Sequence, residues 1–309
     1  METRLMQLPL ISVVTVVYND MAHIVETMDS VVGQDYPHIE YIIIDGASSD
    51  GTREKIMEYI ASCADMDSKN NADSKKCEEQ NGRIYLEATH KEKRLCFKFL
   101  SEADSGIYDA MNKGIDLATG QWCNFMNCGD RFYNSHTILE LFTRFFVMRG
   151  GGAAHHNFAT FIIYGDTQII YDKKHSRILY ASTKSHKYHH RFIHQSAFIA
   201  TSLVQRYHYD TSFKIAGDTN FFTKAYNNGA NFIYIPLTVS NFNVEGVSSS
   251  LSWQMFKEDC QIGYKYNHLF PILHALKYMF WVIPRVCIRN AIPANFRNQA
   301  RILLGKKTN

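Results

Sequence analysis

Residues 101–130 read SEADSGIYDAMNKGIDLATGQWCNFMNCGD. The stretch opens on an acidic, glycine-containing turn (Glu102, Asp104, Gly106) and runs into a helical segment over residues 108–117. A glycine stop follows at Gly120, then a short strand over residues 121–126, which empties into Asn127-Cys128-Gly129-Asp130. A carboxylate just past the carboxyl end of a buried strand is where open α/β sheets gather ligand chemistry. Asp130 is therefore a candidate site residue. The competing reading is ordinary turn chemistry, with Asp130 ending the strand or capping a helix that begins near Ser135.

Upstream, residues 10–17 (LISVVTVV) form a β-branched run suited to a fully buried strand, followed by Tyr18-Asn19-Asp20. Ile24, Met28, Val31 and Val32 then recur at helical spacing. A second buried strand over residues 39–44 closes on Asp45-Gly46-Ala47-Ser48-Ser49-Asp50-Gly51-Thr52, and another helix follows. Strand and helix alternating at these lengths predict βαβ units on a parallel sheet. Right-handed crossovers place the loops after Val17 and Ile44 at the same sheet edge. The polar loops at Asp20, Asp45, Asp104 and Asp130 then converge on one crevice.

Residues 64–82 are polar and short of apolar side chains, so they read as a solvated insertion. Residues 161–164 and 168–171 suggest a hairpin around Gly165-Asp166, and Gly150-Gly151-Gly152 marks a loop that divides the chain roughly in half. A histidine-rich loop spans residues 185–195. Its irregular spacing, without interleaved Cys or carboxylate, argues against zinc and for a polar surface loop or a wall of an acceptor site. Beside it, Lys184, Lys187 and Arg191 read as solvated charge or a phosphate contact. Gly217-Asp218 opens a helix, where Asp218 is either an N-cap or a catalytic group.

The chain has 309 residues, 46% hydrophobic and 20% charged, with a net charge of +3. That length supports one large α/β domain, alone or with an appendage. The mild positive charge offers no concentrated basic face for nucleic acid. Seven scattered cysteines without a CxxC pair fit a reducing compartment and argue against a disulfide framework. The first residues lack the apolar core and cleavage site of a signal peptide, so a cytoplasmic location is expected. Neither GxGxxG nor GxxxxGK[ST] occurs, so the crevice is not a dinucleotide site of the usual kind or a P-loop. Its carboxylates and hydroxyls suit a nucleobase, ribose and a hard divalent cation on phosphate oxygens.

Read in order, SVVTVVYND, YIIIDGASSDGT, the 101–130 stretch, FIHQSAFI, FKIAGDTNFF and VEGVSSS resemble glycosyltransferase family 2, in particular bacterial enzymes of surface-polysaccharide assembly. The resemblance implies a GT-A type fold. Residues 1–250 would form the catalytic domain, with a nucleotide-binding half (1–130) and an acceptor half (131–250), and residues 251–309 a helical extension. It implies that Val17 and Tyr18 line a nucleobase pocket, with Asp45 hydrogen-bonding the base. Asp104, Asn112 and Lys113 would contact nucleotide and donor sugar, and Asp130 would hold Mg²⁺ or Mn²⁺. Asp218 would be the catalytic base, and His194 and Gln195 would line the donor–acceptor crevice. The implied reaction is inverting hexosyl transfer from a nucleotide-diphosphate sugar, UDP by default, to a glycan or lipid-linked glycan. The family's acidic motif usually carries two carboxylates, whereas Asn127-Cys128-Gly129 here precede Asp130 alone. A sugar nucleotidyltransferase would call for a Gly-rich basic signature near the N-terminus, which residues 10–20 lack, and a non-catalytic nucleotide- or glycan-binding protein is the other alternative.

From residue 251 the pattern is helical to the basic end GKKTN. Leu269, Phe270, Ile272, Leu273, Leu276, Met279, Phe280 and Ile283, interrupted by His274, Lys277 and Pro284, make a segment too short and too charged to span a bilayer. Two arrangements fit: an amphipathic helix at the inner face of the cell membrane, or a helix packed back on the catalytic domain.

Overall fold

The computed structural model describes residues 8–64, 75–80, 82–150, 158–172, 174–243 and 252–291. In chain order the first half contains β1 (Ile11–Val17), α1 (Ile24–Val32), β2 (Ile39–Asp45), α2 (Thr52–Cys63), β3 (Lys75–Gln80), β4 (Arg83–Thr89), β5 (Leu95–Ser101), α3 (Ile107–Leu117), β6 (Trp122–Phe125), β7 (Arg131–Phe132) and α4 (Thr137–Met148). The second half contains β8 (Phe161–Asp172), β9 (His175–Leu179), β10 (Ala197–Ala200), α5 (Thr201–Tyr207), α6 (Gly217–Asn227) and β11 (Asn231–Asn243). Three helical pieces close the described chain: α7 (Trp253–Tyr264), α8 (Phe270–Lys277) and α9 (Ile283–Ala291), the last two joined by a π-helical turn, Tyr278–Val282.

One sheet organises these elements, in the order β3-β4-β5-β2-β1-β6-β10-β8-β11-β7, with β9 on β8. Its centre, β5-β2-β1-β6, is parallel. Every residue of β1 and β2 is buried, as a strand covered on both faces must be. Their side chains alternate between two cores: Val13, Tyr41 and Ile43 face α1, α2 and α4, while Val14, Ile42 and Ile44 face α3 and the second-half helices. Helix α3 lies close on β1, because a Cβ on Gly114 would stand 2.4 Å from Val14 Cγ1. Val17, Asp45 and Ser101 sit in register at the strand ends, so their loops share one edge.

Three expectations change. Residues 75–80 of the supposed insertion form an antiparallel strand on β4, whereas residues 65–74 and 81 lie outside the described residues. Gly165-Asp166 makes no hairpin: β8 runs straight through it, because Gly165 lets the β11 backbone approach and buried Asp166 accepts from Tyr234 and the Ala181 N–H. The reversal comes at Asp172, whose carboxylate accepts from the Lys174 and His175 N–H groups. The histidine-rich loop is only partly a polar surface: Ser185, Lys187, His189 and Arg191 are exposed, whereas His186, His190 and His194 are buried among Tyr164, Phe192, Phe222 and Phe232.

The parallel centre is locked at the end opposite the site by Glu40. Its carboxylate accepts from Ser12 Oγ (2.6 Å) and from Thr119 N and Oγ1 (2.8 and 2.7 Å), and it pairs with Lys98 at 2.6 Å. Burial works against its charge, but these donors hold its carboxyl below the usual range. Glu40→Ala should cost about 3–5 kcal/mol in urea unfolding, because it strands a mostly buried Lys98. A loss under about 1 kcal/mol would show that the lock carries little.

Candidate functional site

The polar loops at the carboxyl edge are knitted together. Asn19 N donates to Ser48 Oγ (2.8 Å), Ser49 N to Asn19 Oδ1 (2.9 Å) and Asp20 N to Thr52 Oγ1 (3.0 Å). Asp45 is fully buried and accepts from Ser48 N and Ser101 Oγ. Its carboxylate therefore forms the floor of the edge. Above it, Gly46 lets Tyr18 and Asp104 close on the backbone: an added Cβ would lie 3.2 Å from the Tyr18 ring and 2.5 Å from Asp104 Oδ2. Tyr18 is 66% exposed and free to meet a planar ligand, while Val17 is buried beneath.

Along the same edge opens a cavity of about 590 Å³, a size suited to a small ligand. Asp20, Asn127, Asp130, His194, Gln195 and Asp218 all line it. Asp130 is buried and accepts from Gln195 Nε2 (2.7 Å) and Asn243 N (3.2 Å). Burial nevertheless pushes its carboxyl up to about 7. It does not cap α4, whose N-cap His136 makes no side-chain capping bond. Asn127 Oδ1 is buried with no hydrogen-bond partner, an acceptor left open at the cavity wall.

Across the cavity, Asp218 is the second residue of α6 rather than its N-cap. Its carboxylate accepts from Thr219 N (2.7 Å), lies 3.6 Å from His190 Nε2, and remains 27% exposed. Burial raises its carboxyl above the usual range. Asp218 owes its position to Tyr108 of α3. The Tyr108 hydroxyl donates to Ile215 O (2.6 Å), and a Cβ on Gly217 would fall 2.7 Å from the Tyr108 ring. Buried His194 is held at about 4 and shares a 2.8 Å hydrogen bond with the Tyr209 hydroxyl, while burial takes His190 well below the usual imidazole range. Both imidazoles are neutral at pH 7.

Asn112 and Lys113 do not line this cavity. Asn112 clasps the backbone of Tyr209 through both its amide atoms, and Lys113 binds Ala103 O and Glu102. The VEGVSSS turn falls outside the described residues, except for the preceding Asn243. Glu258 of α7 is the residue that the sequence did not disclose. Its buried carboxylate accepts from three consecutive backbone N–H groups, Lys214 (2.8 Å), Ile215 (3.0 Å) and Ala216 (2.7 Å), immediately before Asp218. A carboxylate 40 residues away, in a helix expected to be peripheral, gives no local pattern. Only the run of unsatisfied amides ahead of α6 could have signalled it.

Residues 12–72 match the family model described as glycosyl transferase family 2. A teichuronic acid biosynthesis glycosyltransferase of Bacillus subtilis, TuaG, is 31% identical over 124 residues, or 40% of this chain and 37% of that protein. An uncharacterized glycosyltransferase of Mycobacterium tuberculosis is 27% identical over 220 residues, covering 70% of this chain and 69% of its own length. The matched segments thus span about a third of the first relative and two thirds of the second. Among solved structures, S. aureus TarS 1–349 in complex with UDP-GlcNAc superposes with a TM-score of 0.55 at 16% identity, over 88% of this chain and 76% of that one. The mannosyltransferase PcManGT from Pyrobaculum calidifontis, in complex with GDP-Man and Mn²⁺, gives 0.55 at 18% identity, over 97% and 76%. The fold is that of the GT-A glycosyltransferases.

The raised Asp130 carboxyl has a measurable consequence for stability. With about 7 in the folded chain against an ordinary 3.8, the folded state keeps a proton that the unfolded chain gives up. Stability is then fullest below about pH 4 and is lost as pH rises through about 7. In chelator, wild type should fall relative to Asp130→Asn by roughly 2–4 kcal/mol between pH 4 and pH 8 in urea unfolding. A gap that stays constant over that range would refute the buried, proton-retaining carboxyl.

Proposed function

We propose that this chain, which carries a glycosyl transferase family 2 domain, moves a hexose from a nucleoside-diphosphate donor to a hydroxyl of a glycan or lipid-linked glycan. The setting is surface-polysaccharide assembly on the cytoplasmic side, with inversion at the anomeric carbon. One observation carries the reading: Asp130 and Asp218, from opposite halves of the chain, line a single sugar-sized cavity. The relative named for teichuronic acid biosynthesis supports the polysaccharide setting, and the UDP-GlcNAc held by TarS supports a uridine donor.

The nucleobase stacks on the exposed Tyr18 ring near Asp104, above the floor that Val17 and Asp45 make, and the diphosphate extends toward Asp130. The residues there fit a divalent cation: a buried carboxylate whose charge lacks a neighbouring lysine or arginine bond, and the open acceptor Asn127 Oδ1 in the same wall. Asp130 and Asn127 would hold Mg²⁺ or Mn²⁺, which when bound neutralises charge on the departing diphosphate. Asp218 accepts the proton of the acceptor hydroxyl while that oxygen bonds to the anomeric carbon. The bond from that carbon to the diphosphate oxygen breaks, and its electron pair leaves with the diphosphate. A carboxyl lifted by burial binds that proton more strongly than an exposed one would. Neutral His190 and His194 add no positive charge to weaken the base. Gln195 keeps its amide on Asp130 and so fixes that oxygen.

Released diphosphate, measured against a panel of nucleotide sugars with Mg²⁺ or Mn²⁺, tests the activity. Asp218→Asn should reduce turnover by about 10²–10⁴-fold while nucleotide affinity by calorimetry stays nearly constant. Wild-type turnover in that variant would remove Asp218 from the mechanism. In Asp130→Ala, the part of nucleotide affinity that depends on metal should disappear, and affinity that still responds fully to metal would assign the cation elsewhere.

Glu258 acts as a positioning residue for the base. Glu258→Gln keeps its shape but can accept through only one oxygen, so the three amides ahead of Asp218 lose their common anchor. Turnover should drop about tenfold with the donor KM little changed, since the displaced group acts only in the transition state. A variant that loses donor affinity and turnover together would show a general loss of folded structure instead.

A further inference from the structure

The helical end of the chain is apolar on two opposite sides, and among the described residues only one of them is packed against the rest of the protein. On the inner side, Phe270, His274 and Tyr278 recur every four residues and pack on α7. A Cβ on Gly263 would meet the Phe270 ring at 2.0 Å, His274 stacks with Phe256 at 5.4 Å, and Tyr278 meets Phe256 edge-on at 4.9 Å. On the outer side, Leu269, Ile272, Leu273, Leu276, Phe280 and Ile283 stand between 44% and 69% exposed. Their spacing follows one helical stripe through the π turn. The Arg285 guanidinium lies 5.7 Å over the ring of exposed Trp281, where an aromatic and a cation meet at the margin of the stripe. An apolar surface of this kind marks an interaction site.

Charge identifies the occupant. From Cys260 to Asn309 the sequence carries eight Lys or Arg and neither Asp nor Glu, in a chain whose totals are 33 and 30. The near-neutral overall balance therefore conceals a strongly cationic end. A second copy docked symmetrically on this stripe would bring two such ends together, and like charges disfavour that contact. An anionic lipid surface satisfies both features, because it accepts the apolar stripe among its acyl chains and the cations among its headgroups. No described helix is long and apolar enough to cross a membrane, so the segment lies in the interface plane.

We infer that the outer stripe of α8 and α9 docks this protein on an anionic bilayer, with Leu273 and Phe280 inserted and Lys277 and Arg285 at headgroup level. The inference stands apart from glycosyl transfer, and its test uses no donor. The full chain is sedimented with vesicles of phosphatidylglycerol and phosphatidylcholine, and with phosphatidylcholine alone. Partitioning onto the anionic vesicles should be at least about tenfold stronger and should weaken with added salt. A Leu273→Glu and Phe280→Glu double variant should lose it, with an unchanged unfolding midpoint showing that the fold is intact. Lys277→Glu with Arg285→Glu, which leaves the apolar stripe whole, should lower it several-fold. Absence of binding to anionic vesicles would overturn the inference. So would a dimer in lipid-free buffer, seen by sedimentation velocity, that the double variant converts to monomer, since the stripe would then belong to a second copy.

Discussion

The structure depends on a sheet centre that has no exposed face. Strands β1 and β2 are buried along their whole length, so their backbone polar groups find partners in neighbouring strands, and no polar side chain can be placed mid-strand without a specific partner. Ser12, Thr15 and Glu40 obey this rule by bonding to one another's surroundings. Ligand-facing chemistry is thereby driven to the strand ends. The register of Val17, Asp45 and Ser101 decides which end, and the loops that follow them bring Tyr18 and Asp104 together over Gly46 and build one wall of the cavity.

The second wall arrives by a different route. Asp218 belongs to a helix beyond the antiparallel half of the sheet, and it reaches the cavity because two separate helices, α3 and α7, clamp the segment before it. Tyr108 takes the carbonyl of Ile215 and fills the space that a side chain at position 217 would need. Glu258 takes the three N–H groups of residues 214–216. With three donors and one acceptor satisfied by side chains from α7 and α3, that turn has little freedom. A charged group beside it can then be held in a cavity at modest cost, because the helix N-terminus and the Thr219 N–H favour the carboxylate that burial disfavours.

Much of this was legible in the sequence, and the reason is periodicity. The runs ending at Val17 and Ile44, the helix stripe from Ile24 to Val32 and the strand entering Asn127 are patterns of period two or 3.6 bounded by turn residues. Asp130, Asp218, His194 and Gln195 lie in motifs at those boundaries, and all four line the cavity. Where the reading failed, a contact distant in sequence had overridden the local signal. Gly165-Asp166 looks like a turn, yet the glycine admits the β11 backbone and the aspartate is consumed by Tyr234. The histidines of residues 185–195 look polar, yet once burial lowers their pKa they pack as neutral aromatic plates. Asn112 and Lys113 sit in the right stretch but on turns of α3 that face Tyr209 and Glu102, away from the cavity.

The helical end draws these arguments together, because its two sides answer to different solvents. Inward, α8 packs Phe270, His274 and Tyr278 on α7, and α7 carries the carboxylate that fixes the turn before Asp218. Outward, the same helix presents a stripe whose burial no described residue supplies. Each leucine, isoleucine or phenylalanine left wholly in water forgoes on the order of 1.5–3 kcal/mol of transfer free energy, and the stripe contains six such side chains, each about half exposed. A chain that needed α8 only to brace α7 would gain stability and solubility from polar residues at those positions, as surface helices ordinarily have. Retaining an apolar stripe next to an all-cationic sequence makes sense when the bracing helix is also the contact with a surface of opposite charge. A continuous chain of contacts then runs from the helix that carries the outer stripe, through Phe256 and Glu258 of α7, to the turn before Asp218.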